Sequence, residues 1–169
     1  MGALITVLLV LQGGSPGSTR APVRDVCELL AHDPTTLNRK VITLNGILTQ
    51  AAHGATLLGG ECKTHLETKG IAWPNYVNVY VDFSDAQIVR SWMKIAEKLR
   101  QVHGAGGEDK ILVTLVGRLE TRASMGDAVV QMPYGLARAG FGQGDAPAQI
   151  DVTSVEDVTI ERGAAKRVH

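Results

Sequence analysis

The stretch Val41-Ile-Thr-Leu-Asn-Gly-Ile-Leu-Thr49 returns later in the chain as Leu112-Val-Thr-Leu-Val-Gly-Arg-Leu-Glu-Thr121. Aligned on the glycine, the two share V/I-T-L-x-G-x-L. Ile42, Leu44 and Leu48 fall on one face of an extended strand, as do Val113, Leu115 and Leu119 in the second copy. Each carries a glycine in its middle, Gly46 or Gly117. A glycine inside a strand marks a bend, a bulge or a barrel corner. The pair therefore predicts two long bent strands of a small closed β-structure.

The rest of the chain supplies elements around them. Val23, Val26, Cys27 and Leu30 recur at helical spacing after Pro22, which predicts a short N-terminal helix ending at Asp33-Pro34. A strand at Ala55–Gly59 follows the first long strand. Ile71–Trp73 and Tyr76–Phe83 read as a third strand, with Val77, Val79, Val81 and Phe83 inward and Tyr76, Asn78 and Tyr80 outward. Ser84-Asp-Ala-Gln87 has the form of a capping box and opens a helix running to about His103. Ile88, Trp92, Ile95 and Leu99 form its apolar stripe. After the second long strand come a strand at 128–132, a glycine-rich loop from Pro133 to Pro147 and a closing strand at Gln149–Ile160. In that last strand Ser154-Val155 breaks the alternation, as a bulge would.

The order is thus helix, three strands, helix, three strands. A mainly β fold with two helices follows: an OB-fold-like five- or six-stranded Greek-key barrel with an added N-terminal helix. Residues 22–161 form the single domain, 1–21 a leader and linker, and 162–169 a disordered tail.

The leader points to a compartment. Ala3–Leu11 is an apolar run followed by small residues at 13–18, the form of a secretory signal peptide and too short to span a bilayer. The expectation is an exported protein, periplasmic or secreted, with no transmembrane helix in the mature chain. Cys27 and Cys62 are the only two cysteines, and in an exported chain an even count favours a disulfide.

The chemistry-bearing residues are sparse. Seventeen basic residues balance seventeen acidic ones, which argues against a nucleic-acid partner. Trp73, Tyr76 and Tyr80 could bind a ring by stacking, as could Tyr134, Arg138 and Phe141 in the glycine-rich loop. Arg118 and Arg122 could add charge beside them. Two alternatives stand beside this: Cys62-x-x-His65 with His53, a loose zinc-ligand spacing that would suit a metal-dependent enzyme, and a single-stranded nucleic-acid binder, which the charge balance disfavours. Asp82, Asp85, Glu61 and Glu67 are candidate paired carboxylates, but acids at strand ends and helix starts are ordinary. No nucleophile elbow or triad order is present, so the expectation is a non-enzymatic module without a cofactor, binding a protein or small ligand.

The residues Val26-Cys-Glu-Leu-Leu30, Asp33-Pro34, Lys40-Val-Ile-Thr-Leu-Asn-Gly46, Cys62, Val113-Thr-Leu-Val-Gly-Arg118, Ala146-Pro-Ala-Gln-Ile150 and Ser154-Val-Glu-Asp-Val158 together carry a resemblance. They resemble a diffuse family of uncharacterised bacterial exported OB-like domains, over about residues 23–160. The resemblance implies fold and export and no activity. Its members often carry a histidine after a Gly-aromatic-Gly segment; here Gly140-Phe-Gly142 is followed by Gln143 and Gly144, so no role of that histidine carries over.

Overall fold

The computed structural model describes residues 23–51, 54–104, 109–125, 129–142 and 145–163. The leader, His53 and residues 164–169 lie outside the described residues. Ten strands and two helices are described: β1 (Val23–Asp25), α1 (Val26–Ala31), β2 (Val41–Gln50), β3 (Thr56–Gly59), β4 (Glu67–Thr68), β5 (Ile71–Ala72), β6 (Tyr76–Val81), α2 (Ala86–Gly104), β7 (Lys110–Thr121), β8 (Val129–Met132), β9 (Gly135–Arg138) and β10 (Ala148–Glu161).

Five strands close into a barrel. The order β2-β3-β6-β10-β7 returns to β2 through the β2–β7 pairing. All these neighbours are antiparallel except β6 and β10, which run parallel. The two related sequences, β2 and β7, are themselves partners, with Gly46 opposite Val113 and Gly117 opposite Ile42. β2 serves several neighbours. Val41–Leu48 pair with β7, Thr43–Asn45 with β1, and Ile47–Gln50 with β3. Gly46 sits at the changeover, where a Cβ would lie 2.7 Å from the Gly59 carbonyl oxygen. At Gly117 a Cβ would lie 2.4 Å from the Asp151 carbonyl oxygen. Both glycines are therefore required by close approach of a neighbouring backbone.

The core lies inside the barrel and beneath α2. The strand faces read from the sequence are buried: Ile42, Leu44 and Leu48 from β2, Val113, Leu115 and Leu119 from β7, Val77, Val79 and Val81 from β6. The helix stripe Ile88, Trp92, Ile95 and Leu99 packs against them. The closing strand is bulged at the expected place, with register shifts between Val152 and Ser154 and between Val155 and Asp157.

Several expectations need correction. The chain at Val23–Asp25 is a strand parallel to β2, and α1 starts only at Val26, because Asp25 accepts a hydrogen bond from the Cys27 N–H and caps it. Ile71 and Ala72 do not extend β6. They pair with β4 in a separate hairpin, and Pro74, which has no N–H to donate, stands between the two segments. Phe83 does not point inward; it falls beyond the end of β6 and is 69% exposed. The α2 cap is Asp85, whose carboxylate accepts from Gln87 N at 2.8 Å and Ile88 N at 3.2 Å, and Ser84 does not serve as the cap. The segment from Pro133 to Pro147 is not a bare loop: β9 folds back on β8, and Phe141 bridges to Ala146. Arg162 and Gly163, expected in the tail, both hydrogen-bond Asp109.

Cys27 and Cys62 lie at disulfide distance, S–S 2.14 Å, and tie α1 to the loop after β3. No helix among the described residues is long and apolar enough to cross a membrane.

Candidate binding cleft

β6 places the candidate residues, and its pairing decides which of them stay open. Trp73 is 1% exposed, packed with Leu66, and its indole N–H donates to Thr68 Oγ1 at 3.1 Å. It is a core residue and presents no face for stacking, which corrects its place among the ligand-binding candidates. The Arg138 guanidinium lies 6.0 Å from the Trp73 ring centroid and donates to the Ala72 carbonyl at 2.9 Å. This arginine secures the foot of the β8–β9 hairpin.

Tyr76 is half-buried and its hydroxyl donates to Asp145. Burial, reinforced by the Asp145 hydrogen bond and charge, pushes its pKa up from 10.0 to about 12, against a smaller lowering by Arg138. Asn78 also faces outward from β6, yet it is buried: Gly142 lies against its amide, and its Nδ2 donates to Gln149 Oε1 at 2.7 Å. Gln149 in turn donates to Asp151 at 2.9 Å, and Arg118 pairs with Asp151 and Glu120. Arg122 is held by Asp33 and Thr68. So Trp73, Tyr76 and Arg138 are brought together, and with the Phe141–Ala146 backbone pair they anchor the segment before β10. The two arginines are spent on structural pairs.

Three of the seven aromatic rings stand more than half exposed: Tyr80 at 52%, Phe83 at 69% and Tyr134 at 102%. Two of them line one cleft of about 520 Å³. Its walls are Tyr80 and Val81 at the end of β6, Thr56 at the start of β3, and Trp92 of α2, with Phe83 at the rim. A tight turn holds Phe83 out. The Asp82 carboxylate accepts the Ser84 N–H at 2.9 Å, and the Asp82 carbonyl accepts the Asp85 N–H at 3.2 Å. The Ser84 hydrogen bond also holds the Asp82 carboxyl below its ordinary value. Asp82 is thus an ionised group at a cleft whose lining, among the described residues, contains no Lys or Arg. Phe83, Thr56 and Trp92 were not among the candidates. The signal was available in Asp82-Phe-Ser-Asp85, where an aromatic residue is set between two turn-forming acids.

The metal alternative loses its central ligand. Cys62 Sγ is bonded to Cys27, His65 is exposed, and His53 lies outside the described residues. A thiol held in a disulfide cannot ligate zinc as a thiolate. Among the described residues no three His, Cys, Asp or Glu side chains converge on a point. The carboxylates of three of the four acidic candidates are engaged in structural contacts: Glu61 pairs with Lys110, Asp85 caps α2, and Asp82 holds the turn before it.

A second hollow of about 650 Å³ lies beside the disulfide, between Asn45 and Ile47 of β2, Leu112 and Thr114 of β7, and Asp157 and Thr159 of β10. It contains none of the predicted ring-binding residues. Comparison of the chain with protein-family models, with curated proteins and with solved structures finds no match.

Proposed function

We propose that the chain is a non-enzymatic, OB-fold-like binding module of the bacterial cell envelope, exported there by its leader, and that it holds a ring-bearing ligand in the Tyr80–Phe83 cleft. The strand order supports the fold reading. Counted along the barrel, the five strands run first, second, third, fifth, fourth and back to first, with the helix between third and fourth and the third parallel to the fifth. The observation that carries the function is the cleft itself, where two of the chain's three most exposed rings meet a hollow of ligand size. Its charge favours a neutral or cationic ligand, because a phosphate backbone would meet Asp82 with no Lys or Arg among the described lining residues to offset it. The disulfide-distance pair fits an oxidising compartment.

Titration with a neutral oligosaccharide such as chitotriose, and with a short oligothymidylate, tests the reading by calorimetry. The sugar should bind, the oligothymidylate should not, and Tyr80→Ala or Phe83→Ala should each cost about 1–3 kcal/mol of sugar affinity. Binding of the oligothymidylate in its place, with a steep salt dependence, would replace this reading with a single-strand binder. Export is tested by mass spectrometry of the mature chain from its native host. A retained Met1 with two free thiols would refute it.

A further inference from the structure

The β8–β9 hairpin is separate from the barrel sheet and, among the described residues, its strands pair only with each other. Pro133 and Tyr134 form its turn, between Met132 and Gly135. Around that turn the apolar side chains are outside: Val130 is 37% exposed, Met132 49%, Tyr134 102% and Leu136 51%. The pairing places these on both faces. Val130 faces Ala137 and Met132 faces Gly135, so this set lies on one side; Gln131 faces Leu136, so Leu136 lies on the other. Tyr134 projects from the end between them. A flat protein patch would cover one side of such a ribbon and leave the other in water. A medium that surrounds the tip covers both.

Charge narrows the choice of medium. From Ala128 to Gly144 the sequence holds no carboxylate, and its single charged residue is Arg138, which sits at the hairpin foot against Trp73 and the Ala72 carbonyl. An acid-free tip carries no penalty for approaching anionic head groups, and a cation set back from the apolar end is where those head groups would lie. Tyrosine has an apolar ring and a polar hydroxyl, the amphipathic form that settles at the boundary of lipid and water. Backbone N–H and C=O groups cannot enter hydrocarbon unpaired; the ladder between β8 and β9 pairs the groups that face across the hairpin, Gln131 Nε2 donates to the Met132 carbonyl at 3.0 Å and to the Gly135 carbonyl at 3.4 Å, and the outward-facing groups of the two arms keep the tip in the hydrated interface.

We propose that the hairpin tip, Met132 to Leu136, inserts into the interface of a lipid bilayer and docks the barrel on a membrane surface. The contact is peripheral and reversible, because a few side chains bury too little area for permanent anchoring. It places no strand or helix across the bilayer. It also does not depend on the Tyr80–Phe83 cleft or on export.

The test uses the purified chain and vesicles of phosphatidylethanolamine and phosphatidylglycerol in a flotation assay. The unmodified protein should float with the vesicles. A Tyr134→Asp/Leu136→Asp variant should keep its circular dichroism and melting temperature and lose roughly ten-fold or more in vesicle partitioning. A Tyr134→Trp variant gives a direct signature: its emission should shift to the blue on vesicle addition and be quenched by lipids brominated on the acyl chain. Three results would each overturn the proposal: no flotation of the unmodified protein, equal flotation of the double aspartate variant, or a dimer in vesicle-free buffer that Leu136→Asp converts to monomer. The last would assign the tip to a second copy of the chain.

Discussion

At Gly46 and Gly117 the chain has no room for a side chain, and the obstacles are carbonyl oxygens of the neighbouring strand. A side chain can turn aside, whereas a paired backbone cannot move without losing its ladder. Gly46→Val and Gly117→Ala should therefore each destabilise the fold by about 1–3 kcal/mol or more, read as a lower urea midpoint with an unchanged slope. Tyr76 makes a different kind of prediction. Its folded pKa, about 12, stands above the ordinary value of 10.0, so the neutral phenol is the form the fold favours. The resulting stability is fully present below pH 10 and is lost as pH rises through about 12. Tyr76→Phe cannot ionise. It should be less stable than the unmodified protein at neutral pH, where it lacks the Asp145 hydrogen bond, and should show a flatter decline over the same alkaline window in thermal melts.

Among the elements, α2 is where the sequence signal and the structure divide most instructively. Its apolar stripe follows the 3.6-residue period and is buried as that period requires. Its first residue depends on a single hydrogen-bond choice between two adjacent polar side chains, Ser84 and Asp85. Asp85 accepts from both Gln87 and Ile88, and Ser84 is used in the preceding turn through its own N–H. Asp85→Ala should thus cost about 1 kcal/mol in thermal stability, and Ser84→Ala much less, since only Asp85 satisfies the free N–H groups of the first turn. The β8–β9 hairpin shows a similar division. Pro133 and Gly135 read as loop residues, yet Pro133 lies in a tight turn and Gly135 opens the strand that folds back from it. Turn residues mark where a chain reverses; they do not by themselves say whether the arms on either side will pair.

Across the whole molecule, the Cys27–Cys62 pair joins the N-terminal β1–α1 unit to the loop that leaves β3, spanning 35 residues. A Cys27→Ser/Cys62→Ser variant should fold with about 2–4 kcal/mol less stability, a drop of roughly 5–15 °C in melting temperature, and dithiothreitol should produce the same shift in the unmodified protein. Trp73 joins the β4–β5 hairpin to the segment before β10, with Leu66, Thr68 and Arg138 around it. Trp73→Ala should cost about 3–5 kcal/mol, the loss of a core aromatic, where Tyr80→Ala and Phe83→Ala should leave stability within about 0.5 kcal/mol and change only ligand affinity.

The sequence by itself determined the bent strands β2 and β7, the apolar face of β6, the stripe of α2 and the bulged closing strand. Each follows from a local rule: a period of two, a period of 3.6, a mid-strand glycine. An even cysteine count favoured a disulfide, and the fold brought Cys27 and Cys62 to bonding distance. Tertiary structure decided which outward residues stayed exposed. Period-two alternation sets Asn78 and Tyr80 on the same face of β6, but only the fold lays Gly142 and Gln149 over Asn78 and leaves Tyr80 beside a cleft. It also buried Trp73 and left Phe83 outside, reversing the order of exposure that their sizes and spacing suggested. Exposure depends on what distant segments cover, and Gly142 and Gln149, which lie over Asn78, are more than sixty residues along the chain from it.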